Sequence, residues 1–143
     1  MSGADDIAAL VPQQGRMCLL ERLHYWDDVT VVASTRTHLD PENPLRSAGR
    51  LSVVHLCEYG AQAMALHGGL LARAAGRGPD PGLLVSLRDV HLRVQRIDVL
   101  DGELLVRAEC LQSGAAGLQY RFEVRHADSI IASGRVAAIC RRG

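Results

Sequence analysis

An α+β fold, with an antiparallel sheet wrapped around one long central helix, is what this sequence predicts, on three observations. The segment 49–71, GRLSVVHLCEYGAQAMALHGGLL, carries apolar residues at three- and four-residue spacing, the mark of a buried helix. Residues 118–126 alternate instead. Leu118, Tyr120, Phe122 and Val124 fall on one face and Gln119, Arg121, Glu123 and Arg125 on the other, as in a half-buried strand. The chain has one such helix, set between early strands and a later run of them, and a sheet curled around it buries the apolar faces of both.

Taken in order, residues 5–11 (DDIAALV) suit a short helical turn ending before Pro12. Residues 17–25 (MCLLERLHY) read as a strand, a turn follows at Asp27 and Asp28, and 29–37 (VTVVASTRT) are β-branched and strand-like. Residues 39–50 hold two prolines and no periodicity, so they form a loop. The helix starts near Ser52, a suitable cap, and ends by Gly76. It is apolar all round, with Val53, Leu56, Tyr59, Ala63, Leu66 and Leu70 on one side and Cys57, Ala61, Met64, Ala65 and Leu71 on the other. Burial on every side is expected, half of it against a second subunit. A connector at 76–82 leads into 83–99, one long strand or a bent pair. Asp101 and Gly102 signal a hairpin. Residues 103–112, 118–126 and 130–140 are the remaining strands, with a turn at 113–117.

The 143 residues suit a single domain, 1–143. Sixteen basic residues balance sixteen acidic ones, which argues against a nucleic-acid partner. No stretch is long and apolar enough to span a bilayer, and the first 15 residues lack the pattern of a secretory signal. The four cysteines, Cys18, Cys57, Cys110 and Cys140, are scattered without a CxxC, which suits reduced thiols in a cytoplasmic protein. No histidine pair has metal-ligand spacing and no phosphate loop is present, so neither a metal nor another cofactor is expected.

Chemistry concentrates on the helix. Glu58 and Gln62 lie one turn apart, about 6 Å along the axis. Burying either without a partner is costly, so they form a hydrogen-bonded bridge or a site. A dry setting favours the neutral carboxylic acid, which suits Glu58 to donate a proton. Gln62 can fix that carboxyl or bind a substrate hydroxyl. His55, about one turn before Glu58, is placed to be a base. The amides near Ser52 could polarise a carbonyl oxygen. His67 sits toward the helix C-terminus as a structural group, where the dipole favours its cation. His24, His91 and His126 fall on strands.

Two stretches carry a family resemblance. VPQQGRMCLLERLH at 11–24 resembles the opening of the β-hydroxyacyl-acyl-carrier-protein dehydratases, where a proline-histidine pair precedes a leucine run and an acid-arginine pair. GRLSVVHLCEYGAQAMALHGG at 49–69 resembles their central helix, most of all in the divergent aryl-polyene-type branch, with glycine-arginine before the helix and E-Y-x-A-Q within it. The resemblance implies a hotdog fold, a dimer, and an acyl thioester on the phosphopantetheine arm of an acyl carrier protein, or on coenzyme A. It makes Glu58 the catalytic carboxyl group. Gln13, in the place of the family's histidine, becomes a substrate contact along with Gln62, Gly49 and Ser52. Arg16, Arg46 and Arg50 are candidate contacts to the carrier. The glycine-histidine-phenylalanine-proline motif of the ordinary enzymes is missing, and Pro44 stands where its histidine falls. His38 is a possible replacement. Three activities therefore fit: a 3-hydroxyacyl-thioester dehydratase, an acyl thioesterase, or a non-catalytic acyl-thioester binder that forms half of a heterodimer. A structural domain with no small-molecule site is the remaining reading.

Overall fold

The computed structural model describes residues 7–77, 82–115 and 117–140, with 82–85 and 140 described as backbone. Asp5 and Asp6 of the first turn, residues 78–81 of the connector, and the Cys140 thiol lie outside the described residues. Six strands, β1 (Arg22–Trp26), β2 (Thr30–Thr35), β3 (Gly82–Leu92), β4 (Leu104–Gly114), β5 (Gly117–His126) and β6 (Ser129–Cys140), form one antiparallel sheet in the order β1-β2-β4-β5-β6-β3. The helix α1 (Leu56–Ala74) lies against it, touching β2, β4, β5 and β6. This is the hotdog arrangement. No helix among the described residues is long and apolar enough to cross a membrane.

Ser52 is the predicted cap: its Oγ accepts from the Val54 amide at 3.3 Å. A short 3₁₀ turn, Val53–His55, then runs into α1. At the far end Gly76 takes a φ of +74°, its amide reaches Arg73, and the Arg77 amide reaches the Ala72 carbonyl at 2.8 Å. That paired closure satisfies the last carbonyls and needs a residue free to enter the left-handed region.

Thirteen of the nineteen helix residues are buried within the chain itself, so a second subunit is not what covers half of the helix. Part of the cover is the segment 7–20, in which Ile7, Leu10, Val11, Leu19 and Leu20 are all buried. Two glycines set the approach. A Cβ on Gly69 would stand 2.6 Å from the Leu10 carbonyl oxygen, and one on Gly60 would stand 2.4 Å from Cγ of Phe122.

Two sequence expectations need correcting. The strand predicted at 17–25 begins only at Arg22, and Gly15–Met17 is a 3₁₀ turn. Residues 17–20 leave the sheet because their backbone is satisfied elsewhere: the Gln62 amide bonds Met17 O and Leu19 N. The second correction concerns Asp101 and Gly102, which close no hairpin. Strand β3 pairs with β6, whereas β4 lies between β2 and β5, so both edges of β4 are taken. Beyond Leu92 the chain leaves β3 and meets the helix start, where Val53 N donates to Gln95 O (3.0 Å) and Ile97 N to Leu51 O (2.8 Å). Asp98 anchors this crossing by accepting from Leu51 N and pairing with Arg96, which holds its carboxyl well below the usual range.

Candidate active site

Glu58 is half-buried in the first turn of α1. Its Oε2 accepts from two amides, Gln62 Nε2 at 2.9 Å and Gln13 Nε2 at 3.3 Å. Gln62 is fully buried and uses every group it has. Its Nε2 also donates to Met17 O at 2.7 Å, and its Oε1 accepts from Leu19 N at 2.8 Å. One side chain thus bolts the segment 17–19 to the helix and fixes the carboxyl group. Gln13 Oε1, in contrast, is buried with no hydrogen-bond partner. With both amide donors on Oε2, Oε1 is the Glu58 oxygen left for a reacting group. Removing the Gln62 side chain (Q62A) is expected to cost about 2–4 kcal/mol, because the buried Leu19 N–H and Met17 C=O lose their partner. A fall of about 10 °C in Tm by calorimetry is the readout.

A second network supports the same turn. The Tyr59 hydroxyl is within 2.9 Å of Thr37 Oγ1 and accepts from Asn43 Nδ2 at 3.2 Å, while Thr37 Oγ1 donates to Leu19 O at 2.7 Å. Burial pushes the Tyr59 phenol up, so it stays a neutral hydrogen-bonding group. These three residues escaped the sequence reading, in which Tyr59 counts only as apolar. Tyrosine beside the glutamate in a buried run is the one signal that its hydroxyl has a partner.

The structure brings together Glu58, Gln62 and Gln13, and leaves His55 at the start of α1, half-buried, with nothing hydrogen-bonded to its ring among the described residues. His38 is placed otherwise. Its ring is completely buried, Nε2 donates to Leu100 O at 2.8 Å, and Nδ1 is sealed without a partner. Neither ring nitrogen is hydrogen-bonded to Glu58. Desolvation, aided by the nearby His126, Arg36 and Arg46, pushes the His38 pKa down. The unfolded chain then takes up a proton at higher pH than the folded one. The stability His38 contributes is present above about pH 6.5 and is lost as pH falls below it. Thermal melts between pH 7 and 5 should show a Tm that declines with acidity. The decline should be shallower in H38Q, which keeps a donor for Leu100 and cannot titrate.

The other predicted contacts are mostly spent on the fold. Ser52 caps the 3₁₀ turn, and the Val53 and Val54 amides are taken by Gln95 O and Ser52 Oγ, so they cannot polarise a thioester. Gly49, at φ +74°, turns the chain at 47–50, where Ser47 and Arg50 pair. Arg46 donates to the carbonyls of Asp40, Gly49 and His38. Arg16 pairs with Asp40 and Glu42 at the surface. Arg50 is exposed. His67 is a buried structural group, as expected, with Nε2 donating to Asp27 O at 2.8 Å and Nδ1 2.5 Å from the Tyr120 hydroxyl. Cys18, Cys57 and Cys110 are free thiols.

Comparison with known proteins bears on the fold and the family. The ApeP-like family, described as ApeP dehydratase, matches residues 5–141. Among solved structures, the dehydratase heterocomplex ApeI:P from Xenorhabdus doucetiae superposes with a TM-score of 0.86 at 19% identity, covering 99% of this chain and 93% of that one. A hypothetical thioesterase with coenzyme A from Streptococcus pneumoniae is more distant, at TM-score 0.62 and 13% identity, with 84% of each chain covered. A thioesterase from Staphylococcus aureus gives 0.61 and 14%, with 84% and 92% covered. No curated protein matches the chain. With residues 5–141 matched, nearly its whole length, this chain belongs to the ApeP-like family, described as ApeP dehydratase.

Proposed function

We propose that this chain is the Glu58-bearing subunit of a 3-hydroxyacyl-thioester dehydratase that works with a related hotdog subunit. Its substrate is carried by an acyl carrier protein or coenzyme A. A base removes the proton from the carbon next to the thioester carbonyl. The C–O bond at the third carbon breaks, and the hydroxyl takes the Glu58 proton and leaves as water. The product is the trans-2-enoyl thioester. The observation that carries this reading is the Glu58 carboxyl group, with Oε2 clamped by Gln13 and Gln62 and Oε1 uncommitted.

Gln13 is also the reason for a second subunit. It stands against Glu58 where the resembling enzymes have histidine, and an amide cannot take a proton as imidazole does. The base then comes from the partner. Strand β3 offers that partner a seat: it is the longer of the two sheet edges, eleven residues against five in β1, with Leu87 and Leu92 exposed, and Val54 is exposed at the helix start. An open edge of that length is a site for strand pairing. The free thiols suit a reducing, cytoplasmic setting.

His55 favours a second reading, a homodimer that supplies its own base, because its ring is unengaged. Hydration of a trans-2-enoyl thioester, followed as loss of enoyl absorbance, separates the two. Activity only after co-expression with a neighbouring hotdog subunit supports the heteromer. Full activity from the purified chain, abolished in H55A, supports the homodimer. Release of free thiol from a saturated acyl thioester instead would identify a thioesterase and overturn both.

A further inference from the structure

A basic hollow lies where three adjacent strands end. It measures about 560 Å³ and is lined by Arg93, Val94, Arg125, Asp128, Ser129, Ile130 and Ile131. Arg125 on β5 is opposite Ile130 on β6, and the Arg93 amide donates to Ile131 O at 2.9 Å, so the two guanidinium groups come from either side of β6. Both arginines are exposed. Nothing engages the Arg93 guanidinium among the described residues. Arg125 has only a solvent-exposed ion pair with Glu123 at 3.9 Å, which holds it weakly. The floor is apolar, with Val94 and Ile131 packed into the core. Asp128 is the one acid at the rim, so the balance is positive, and Ser129 adds a hydroxyl.

The hollow is tied to the start of the catalytic helix. Gln95, two residues past Arg93, accepts from the Val53 amide, and Val53 lies five residues before Glu58. Backbone spacing puts Arg93 no more than about 20 Å from Glu58. Two arginines and a hydroxyl over an apolar floor fit a phosphate attached to an uncharged chain, and the separation is one that an extended pantetheine arm can span. We propose that this hollow seats the phosphate of the substrate's phosphopantetheine arm, with Arg93 and Arg125 as the phosphate ligands. The proposal rests on the thioester reading above. It gives Arg93 and Arg125 the role that the sequence offered to Arg16, Arg46 and Arg50, of which Arg46 is held by three backbone carbonyls, Arg16 has surface ion pairs and Arg50 is exposed.

The test compares substrates with and without the phosphate. R93A, R125A and the double variant, each co-expressed with the partner subunit, are assayed with 3-hydroxyacyl thioesters of carrier protein, coenzyme A and plain pantetheine. Each single variant should raise KM for the two phosphate-bearing substrates by about tenfold, and the double variant by on the order of a hundredfold, with no matching rise for acyl-pantetheine. R121A, which alters another arginine on the same outward face of β5 as Arg125 but outside the hollow, should behave as wild type with all three. An equal rise for all substrates would reveal a merely structural role, and no rise would discard the site; either result leaves the dehydratase reading intact. Should wild type turn over none of the substrates, calorimetry with acyl-phosphopantetheine decides. Binding that is lost in the double variant supports the phosphate seat although the dehydratase reading has failed, and absence of binding to wild type overturns the seat.

Discussion

Replacing Glu58 with glutamine (E58Q) is expected to lower kcat/KM for dehydration by about 10²- to 10⁴-fold, the usual worth of a positioned general acid. The side chains are nearly the same shape. In place of the carboxylate, the new amide oxygen can still accept from Gln13 and Gln62, so the hydrogen bonds that hold the turn survive. Melting temperature should therefore move by no more than a few degrees, and circular dichroism should not change. The amide differs in one respect: it has no acidic proton to give to the departing hydroxyl. A loss of activity without a loss of stability is thus the signature to seek, in enoyl hydration and in melts of the same preparation. An E58Q protein that keeps wild-type kcat would remove Glu58 from the chemistry and leave it as a hydrogen-bond acceptor for two amides.

A loss of stability as large as that of Q62A should come from one methyl group. Gly60 sits in the interior of α1, where alanine is ordinarily better by about 1 kcal/mol. Its place is explained by Phe122, whose ring is fully buried directly beneath it. A Cβ at residue 60 would lie 2.4, 2.6 and 2.8 Å from three ring carbons. The ring cannot retreat, because its far edge already fills the space of a Cβ on Gly134 of β6, at 2.8 Å. G60A should therefore destabilise the protein by about 2–4 kcal/mol despite the better helix propensity, a fall in Tm of roughly 10 °C or failure to accumulate as folded protein. The cycle with F122L separates this clash from other causes. If the clash dominates, G60A/F122L will lose less than the two single variants together. Strict additivity would place the damage elsewhere.

Much of the architecture was legible because it rests on local periodicity. The helix could be read from apolar spacing, Ser52 and Gly76 from their capping chemistry, and the β5 face from alternation, with Tyr120, Phe122 and Val124 all buried as expected. Glu58 and Gln62 could be paired because four residues on a helix bring side chains together wherever the helix lies. Failure came where a group had a non-local alternative. Met17 and Leu19 read as strand residues, yet they find their partner in an amide 43 to 45 residues away. The aspartate-glycine pair at 101 and 102 has the composition of a hairpin, but β4 was already claimed on both sides.

The sequence by itself determined the class of fold, the buried helix and the acid-amide pair on it, since helical and strand periods are properties of neighbouring residues. Only the tertiary structure decided that Gln13 shares the Glu58 carboxyl group, that His38 is sealed against Leu100, and that Arg16 and Arg46 are occupied while Arg93 is open. The reason is physical. Hydrogen bonds and ion pairs between distant segments form by competition among all the groups that the folded chain brings within about 3 Å, and no local pattern records which of them will meet.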